Sequence, residues 1–434
     1  VEAAMQQSSA LEKKSITPGY AWYIFALLFL LYMFDYVDRL IIVSLFPFIK
    51  AEWGISDASC GLLISAVYWS ILIFTFPVSI LIDRWSRKKT IGIMAIVWSL
   101  ATGACAFTRS FGQLFAARTI IGVGEAGYAA GGTAMISAIF PKEKRSQVLG
   151  LWNAAIPLGS AIGIAAGGII AEHLGWRHAL GVVAIPGFFI AVLFFWVRDY
   201  KTIELVKNPV ETGSGLQQKM KKREIAAQFL KTRSLILTDL GFAASAFVTT
   251  ALLSWLPSYF HRTEGIPISD AGMKGGAIMF LAIVGAPLGG FLADKWFAKT
   301  PQGRMLLPAV STTVTAAILF IAFVFFSGTI QYVMLLGAGI SAVAFIPAAV
   351  AVTQEVVHPG LRAMSLSICV IVQHVLGSTL GPVFVGVVSD QYNLLTAMSI
   401  LPAFSLLAGV LFFWGSFYYE KEASMVAHVD IEME

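Results

Sequence analysis

The 434-residue chain is short of charge: Asp, Glu, Lys and Arg make up 13% of it, against 57% hydrophobic residues. Soluble domains carry about a quarter charged residues, so a water-facing globule is excluded. Cysteine is nearly absent. Cys60, Cys105 and Cys369 are odd in number, scattered and set in apolar runs, which fits small buried thiols rather than a disulfide or zinc framework. The histidines His173, His178, His261, His358, His374 and His428 are dispersed, and no HExxH, GxSxG or GxxxxGK[ST] string occurs. A zinc hydrolase, a serine hydrolase and an ATP-driven pump therefore lack their signatures. No enzyme, metal or cofactor is expected. The alternating ten-residue strands of a membrane barrel are missing as well.

Long apolar stretches are what the chain has in quantity. Bounded by charged or Pro/Gly breaks, they predict twelve spans near 21–48, 57–82, 90–108, 112–140, 146–171, 178–198, 235–260, 271–293, 305–327, 330–356, 362–389 and 394–418. Each is long enough to cross roughly 30 Å of hydrocarbon. The fold class expected is an all-α membrane protein. An even number of spans puts both termini on one side, and Lys13, Lys14, Arg84, Arg87, Lys88, Lys89, Lys142, Lys144, Arg145, Lys295, Lys299 and Arg304 share that side. The opposite loops carry only Lys50, Arg109, Arg177, Arg262 and Lys274. By the positive-inside rule the termini are cytoplasmic. The net charge of +5 reads as these topology signals, and no nucleic-acid partner is implied. The opening VEAAMQQSSALEKKS has no hydrophobic core of its own, which reads as a cytosolic lead-in rather than a signal peptide.

The longest polar interruption, 199–233, divides the chain into a tail 1–20, a six-helix half 21–198, a linker, a second half 234–420 and a tail 421–434. Within the linker, GSG followed by KMKKREIAAQFLK suggests a turn and a basic amphipathic helix on the membrane surface. The halves repeat: LGSAIG at 158–163 returns as LGSTLG at 376–381, and ILIDRWSRKK at 80–89 as FLADKWFAK at 291–299. Arg145 and Arg362 occupy matching loops before the first pair. Parallel six-helix repeats suit an architecture in which one half rocks against the other around a central site.

ILIDRWSRKK, GGFLADKWFAK and the glycine-rich AIPLGSAIGIAAGG resemble signatures of the major facilitator superfamily, with Ser79 where glycine is usual. More specific strings are similar to spinster-like transporters: DYVDR at 35–39, GVGEAGY at 122–128, RSQVLGLWNAAIPLGSAIG at 145–163, LGFAASAFVTTALLSWLPSYF at 240–260 and QHVLGSTLGPVFVGVVSD at 373–390. The charged pattern is also similar to that of organic anion–cation symporters. The resemblance implies the twelve-helix major facilitator fold, alternating access, and coupling and binding roles for Asp38, Arg39 and Glu125. It also implies gating at the helix ends by Asp83, Arg84, Arg87, Asp294, Lys295, Arg145 and Arg362.

The residues themselves point the same way. Asp35, Asp38 and Arg39 lie at i, i+3, i+4 in the first span; Arg118, Gly122 and Glu125 lie at i, i+4, i+7 in the fourth. Each set shares a helix face. Ionisable groups in hydrocarbon cost several kcal/mol unless they pair or face water, so they mark a transport path. A static Asp38–Arg118 pair needs one acid and one base, whereas two acids with two guanidinium groups permit exchange of partners. Asp38 and Glu125 are the proton-coupling candidates, Arg39 and Arg118 the anion grip. Secondary binding candidates are His374, Tyr128, Asn153, Trp255 and Tyr259, each also readable as helix packing. The expected function is proton-coupled transport of an anionic or zwitterionic amphipath of lysophospholipid or sphingolipid type, with small sugar acids as the alternative. Protons, the solute and the bilayer are the partners, a monomer the default, and the inner membrane the location if the source is bacterial.

Overall fold

The computed structural model describes residues 17–84, 86–197, 229–358 and 361–426. The tails 1–16 and 427–434 and linker residues 198–228 lie outside the described residues. Among those described there are helices and no β-strand.

The helices are α1 (Pro18–Leu40), α2 (Phe46–Trp53), α3 (Asp57–Arg84), α4 (Arg87–Cys105), α5 (Phe111–Glu125), α6 (Tyr128–Ile139), α7 (Lys142–Asn153), α8 (Ala155–Leu174) and α9 (Trp176–Phe194). They continue as α10 (Arg233–Glu264), α11 (Ile268–Phe280), α12 (Ala282–Phe297), α13 (Gly303–Phe325), α14 (Gly328–Ala344), α15 (Ile346–Glu355), α16 (Arg362–Val372), α17 (Leu380–Gln391) and α18 (Leu394–Ser424). Laid end to end they form twelve rods, which follow the spans read from the sequence. Nine segments of the described residues are long and apolar enough to cross a membrane. The remaining rods are the one bearing Asp35, Asp38 and Arg39, the one that opens on Arg87, Lys88 and Lys89, and the one interrupted after Glu125.

The difference from the sequence reading is that half of the rods are broken. The first tightens into a 3-10 turn, Ile41–Leu45, between α1 and α2. The fourth is cut between α5 and α6, where Gly127 takes φ 89, a left-handed conformation that a side chain disfavours. The eleventh widens into a π-turn, Gln373–Ser378, between α16 and α17. Hydropathy averages over such local changes of winding, so it reports a span and not its breaks.

The first six rods and the last six meet at the end of the bundle away from the termini. There α8 packs on α11, close enough that a Cβ on Gly272 would stand 2.8 Å from the Ile164 carbonyl. The Ser65 hydroxyl of α3 donates to the Thr379 carbonyl at 2.6 Å, and the Trp255 indole of α10 to that of Pro382 at 2.9 Å. At the far rim, Asp390 accepts from the backbone N–H groups of Asp57 and Ala58, each at 2.8 Å. The Asp57 carboxylate in turn receives both Arg262 terminal nitrogens, at 2.6 and 2.7 Å, together with Lys50 and Ser389.

Candidate functional site

Two helix breaks create the site. A 3-10 turn hydrogen-bonds three residues back instead of four, which frees carbonyls at the end of α1. Arg118 of α5 takes them: Nη1 donates to the Asp38 carbonyl at 3.0 Å, Nη2 to that of Arg39 at 2.9 Å, and Nε to that of Leu63 at 3.2 Å. Its side chain is wholly buried. Irregular backbone at this depth is tolerated only where such partners or a cavity satisfy it.

Because α5 stops at Glu125, that carboxylate stands at a helix end facing the break in the first rod. Arg39 lies between two acids, its Nη2 3.0 Å from Asp35 Oδ2 and 2.9 Å from Glu125 Oε2. The guanidinium also sits over the rings of Tyr36 and Tyr68, 4.6 and 5.5 Å from their centroids, an arrangement that favours a desolvated cation. Tyr68 leads to the second six-rod set, its ring 5.5 Å from that of His374. His374 is the second residue of the π-turn, and its Nδ1 is buried without a hydrogen-bond partner. Asp38 is completely buried, and neither carboxylate oxygen finds a hydrogen-bond partner; Asp35, Thr102 and Arg118 surround it.

Asp35, Arg39, Glu125 and His374 thus form one constellation, with Asp38 and Arg118 one layer behind. The side-chain pair Asp38–Arg118 does not form, because Arg118 is engaged on main-chain oxygens. Asp35 and Tyr36 were outside the sequence candidates. The i, i+4 spacing of Asp35 and Arg39 was the available signal; nothing in the sequence set Tyr36 apart from the other aromatic residues.

The weaker candidates scatter. Tyr128 donates to the Leu28 carbonyl at 2.7 Å, Trp255 belongs to the seam, and Tyr259 accepts from Gln331 at 2.8 Å. All three are packing groups here. Asn153 is exposed and bonds the Leu149 carbonyl of its own helix. Of the gating residues, the side chains of Asp83, Arg84, Arg87 and Arg145 lie outside the described ones. Asp294 pairs with Arg304, and Lys295 is exposed. Arg304 also reaches Glu355 at 3.3 Å, and Glu355 accepts from the Tyr419 hydroxyl at 2.5 Å. This cluster joins four rods of the second set, and Arg304 is a member that the sequence presented only as a topology charge. Arg362 donates to the Gln354 carbonyl at 3.2 Å.

The model of the Major Facilitator Superfamily matches residues 28–375. The chain belongs to that superfamily. Within it the chain is similar to protein spinster of Drosophila melanogaster, at 29% identity over 381 residues, covering 85% of this chain and 62% of the fly protein's length. A hexuronate transporter of Bacillus subtilis (strain 168) is 28% identical over 307 residues, covering 70% of this chain and 71% of that protein. Among solved structures, a bacterial homologue of the human lysosomal transporter spinster, inward-facing and unoccupied, superposes with a TM-score of 0.82 at 23% identity, covering 94% of this chain and 99% of that one. That likeness shows the twelve-helix fold of the superfamily, whose members are transporters and not enzymes.

Proposed function

We propose that this superfamily member is a proton-coupled carrier of an anionic or zwitterionic amphipath, of the lysophospholipid or sphingolipid type, working by alternating access. The observation that carries the reading is Arg39, a buried cation held between Asp35 and Glu125 where two helices break, and facing His374 of the other six-rod set.

Three acids, Asp35, Asp38 and Glu125, accompany two guanidinium groups. Fully ionised, the set has one negative charge in excess, and in a buried site the surplus is relieved by binding a proton. An entering phosphate or carboxylate competes for Arg39, whose planar fork suits either. Displaced from Arg39, Glu125 loses its counter-charge and takes up a proton, so anion and proton move together. Asp38 is the reserve acid behind it. Arg118 acts through the backbone of the break, holding Arg39 in place.

On this reading the bodies 21–198 and 234–420 rock about the site, with 199–233 joining them and both termini in the cytoplasm. The seam at the end away from the termini then corresponds to an inward-facing state of a single chain in the plasma membrane, the inner one if the source is bacterial. Asp83, Arg84, Arg87 and Arg145 would close the opposite end together with Asp294, Lys295 and Arg362. Likeness to the hexuronate transporter supports a second reading, a symporter of small sugar acids. A thermal-shift screen of lysolipids against sugar acids separates the two.

The coupling is tested by uptake into proteoliposomes at two pH gradients. Glu125→Gln keeps substrate counterflow and loses gradient-driven accumulation; undiminished accumulation would remove Glu125 from the coupling step.

A further inference from the structure

At the terminus-side end of the bundle, the start of α10 and the last turns of α18 border an open cavity of about 720 Å³. Its walls carry Lys231, Arg233 and Lys421, with His358 beside them, over an apolar floor that includes Val356 and Met425. One acid, Glu422, lines it too, but its carboxylate is engaged. It accepts from the backbone N–H groups of Arg233 and Ser234, each at 2.9 Å, and from the Ser234 hydroxyl at 2.5 Å. Glu422 therefore caps α10 and satisfies the helix's positive end, leaving the side-chain cations facing the cavity. Arg233 is oriented by Tyr418, its guanidinium 5.1 Å from the ring centroid and Nη1 3.3 Å from the hydroxyl.

The depth of the cavity follows from α18. Trp414 and Phe417 are 53% and 66% exposed on the outside of the rod, and Lys421 follows one turn later. Outward aromatic residues succeeded by a lysine mark the level where hydrocarbon gives way to headgroups. A cationic cavity at that level meets phosphates in preference to other anions.

We infer that this cavity binds the phosphate of an anionic phospholipid of the adjacent leaflet, its acyl chains lying along Trp414 and Phe417. Lys231 and Lys421 supply point charges and Arg233 a planar donor pair, a set that suits phosphate oxygens. The site lies where the segment 199–233 enters α10, so the bound lipid fastens that end of the linker to the membrane. It shares no residue with the Arg39 constellation and stands whether or not the transport reading does.

Native mass spectrometry of the full chain in detergent tests it, with phosphatidylglycerol and phosphatidylcholine as probes. Phosphatidylglycerol is retained preferentially, and K231A/K421A weakens its binding by about five-fold for each lysine removed. The control pair K295A/K299A, on the same end but outside the cavity, leaves it unchanged. Inorganic phosphate added in excess identifies the source: failure to displace the lipid keeps the membrane ligand, whereas displacement together with direct phosphate binding assigns the cavity to a soluble phosphate and overturns the lipid. Equal retention of the two lipids, or equal losses in the cavity and control pairs, overturns the site altogether. Should K231A/K421A aggregate on size exclusion, K421Q alone is read in the same way.

Discussion

Arg118 shows how the role of a single residue depends on what lies opposite it. A buried arginine in a span reads as a ligand for an anion, yet all three of its bonds go to main-chain carbonyls, two of them released by the 3-10 turn and the third that of Leu63 in α3. Each buried carbonyl left without a donor costs about 1–3 kcal/mol. Arg118→Ala is therefore expected to lower the melting temperature sharply in detergent, and Arg118→Lys, with a single ammonium, to recover only part of it. A melting temperature unchanged in R118A would mean that the break at Ile41–Leu45 holds without this guanidinium. Arg39, one helical turn from Asp35, makes the opposite case: its partners are side chains, which can exchange.

At the scale of elements, the short helix α2 is pinned to the start of α9 by Glu52. Its carboxylate receives Arg177 Nη1 and Nη2, each at 2.7 Å, and the Trp176 indole at 2.9 Å. The Arg177 hydrogen bonds, then that of Trp176, hold its pKa down at about 2, against an ordinary 4.5. A depressed acid contributes stability in full above its unfolded pKa and loses it as the pH falls through the folded one. The contribution is thus complete above pH 4.5 and fades toward pH 2. With the Glu52 side chain 41% exposed, solvent screening keeps it below about 1 kcal/mol. The melting-temperature margin of the native chain over Glu52→Gln should shrink across that window; a margin independent of pH would count against the pair. The other connections that matter are the breaks themselves, at Gly127 and at the π-turn, which aim Glu125 and His374 inward.

For the whole molecule, the decisive feature is the latch at the end away from the termini, where Asp57 is buried against Arg262, Lys50 and Ser389 and Asp390 caps α3. Removing one partner of a buried pair strands the other charge. Arg262→Ala is expected to lengthen the distance between spin labels at Ser56 and Tyr392, measured by double electron–electron resonance, by favouring the state open at that end. An identical distance distribution would show that the helix packing alone, with Gly272 against Ile164, holds the seam. The three native cysteines are buried, so labels placed elsewhere report cleanly. The order of the spans, the superfamily and the two charged rods were all legible in the sequence, because hydropathy, charge cost and local spacing are properties of contiguous residues. Arg39 and Glu125 were picked out for the same reason. Tertiary structure alone decided which acid meets which base, because partners separated by some 80 residues are set by where helices break and cross. It gave Arg118 to the backbone, brought Glu125 to Arg39, joined Arg304 to Asp294 and Glu355, and put His374 across from Arg39. A hydropathy profile carries no record of a helix break one turn long, and in this chain the breaks are what assemble the site.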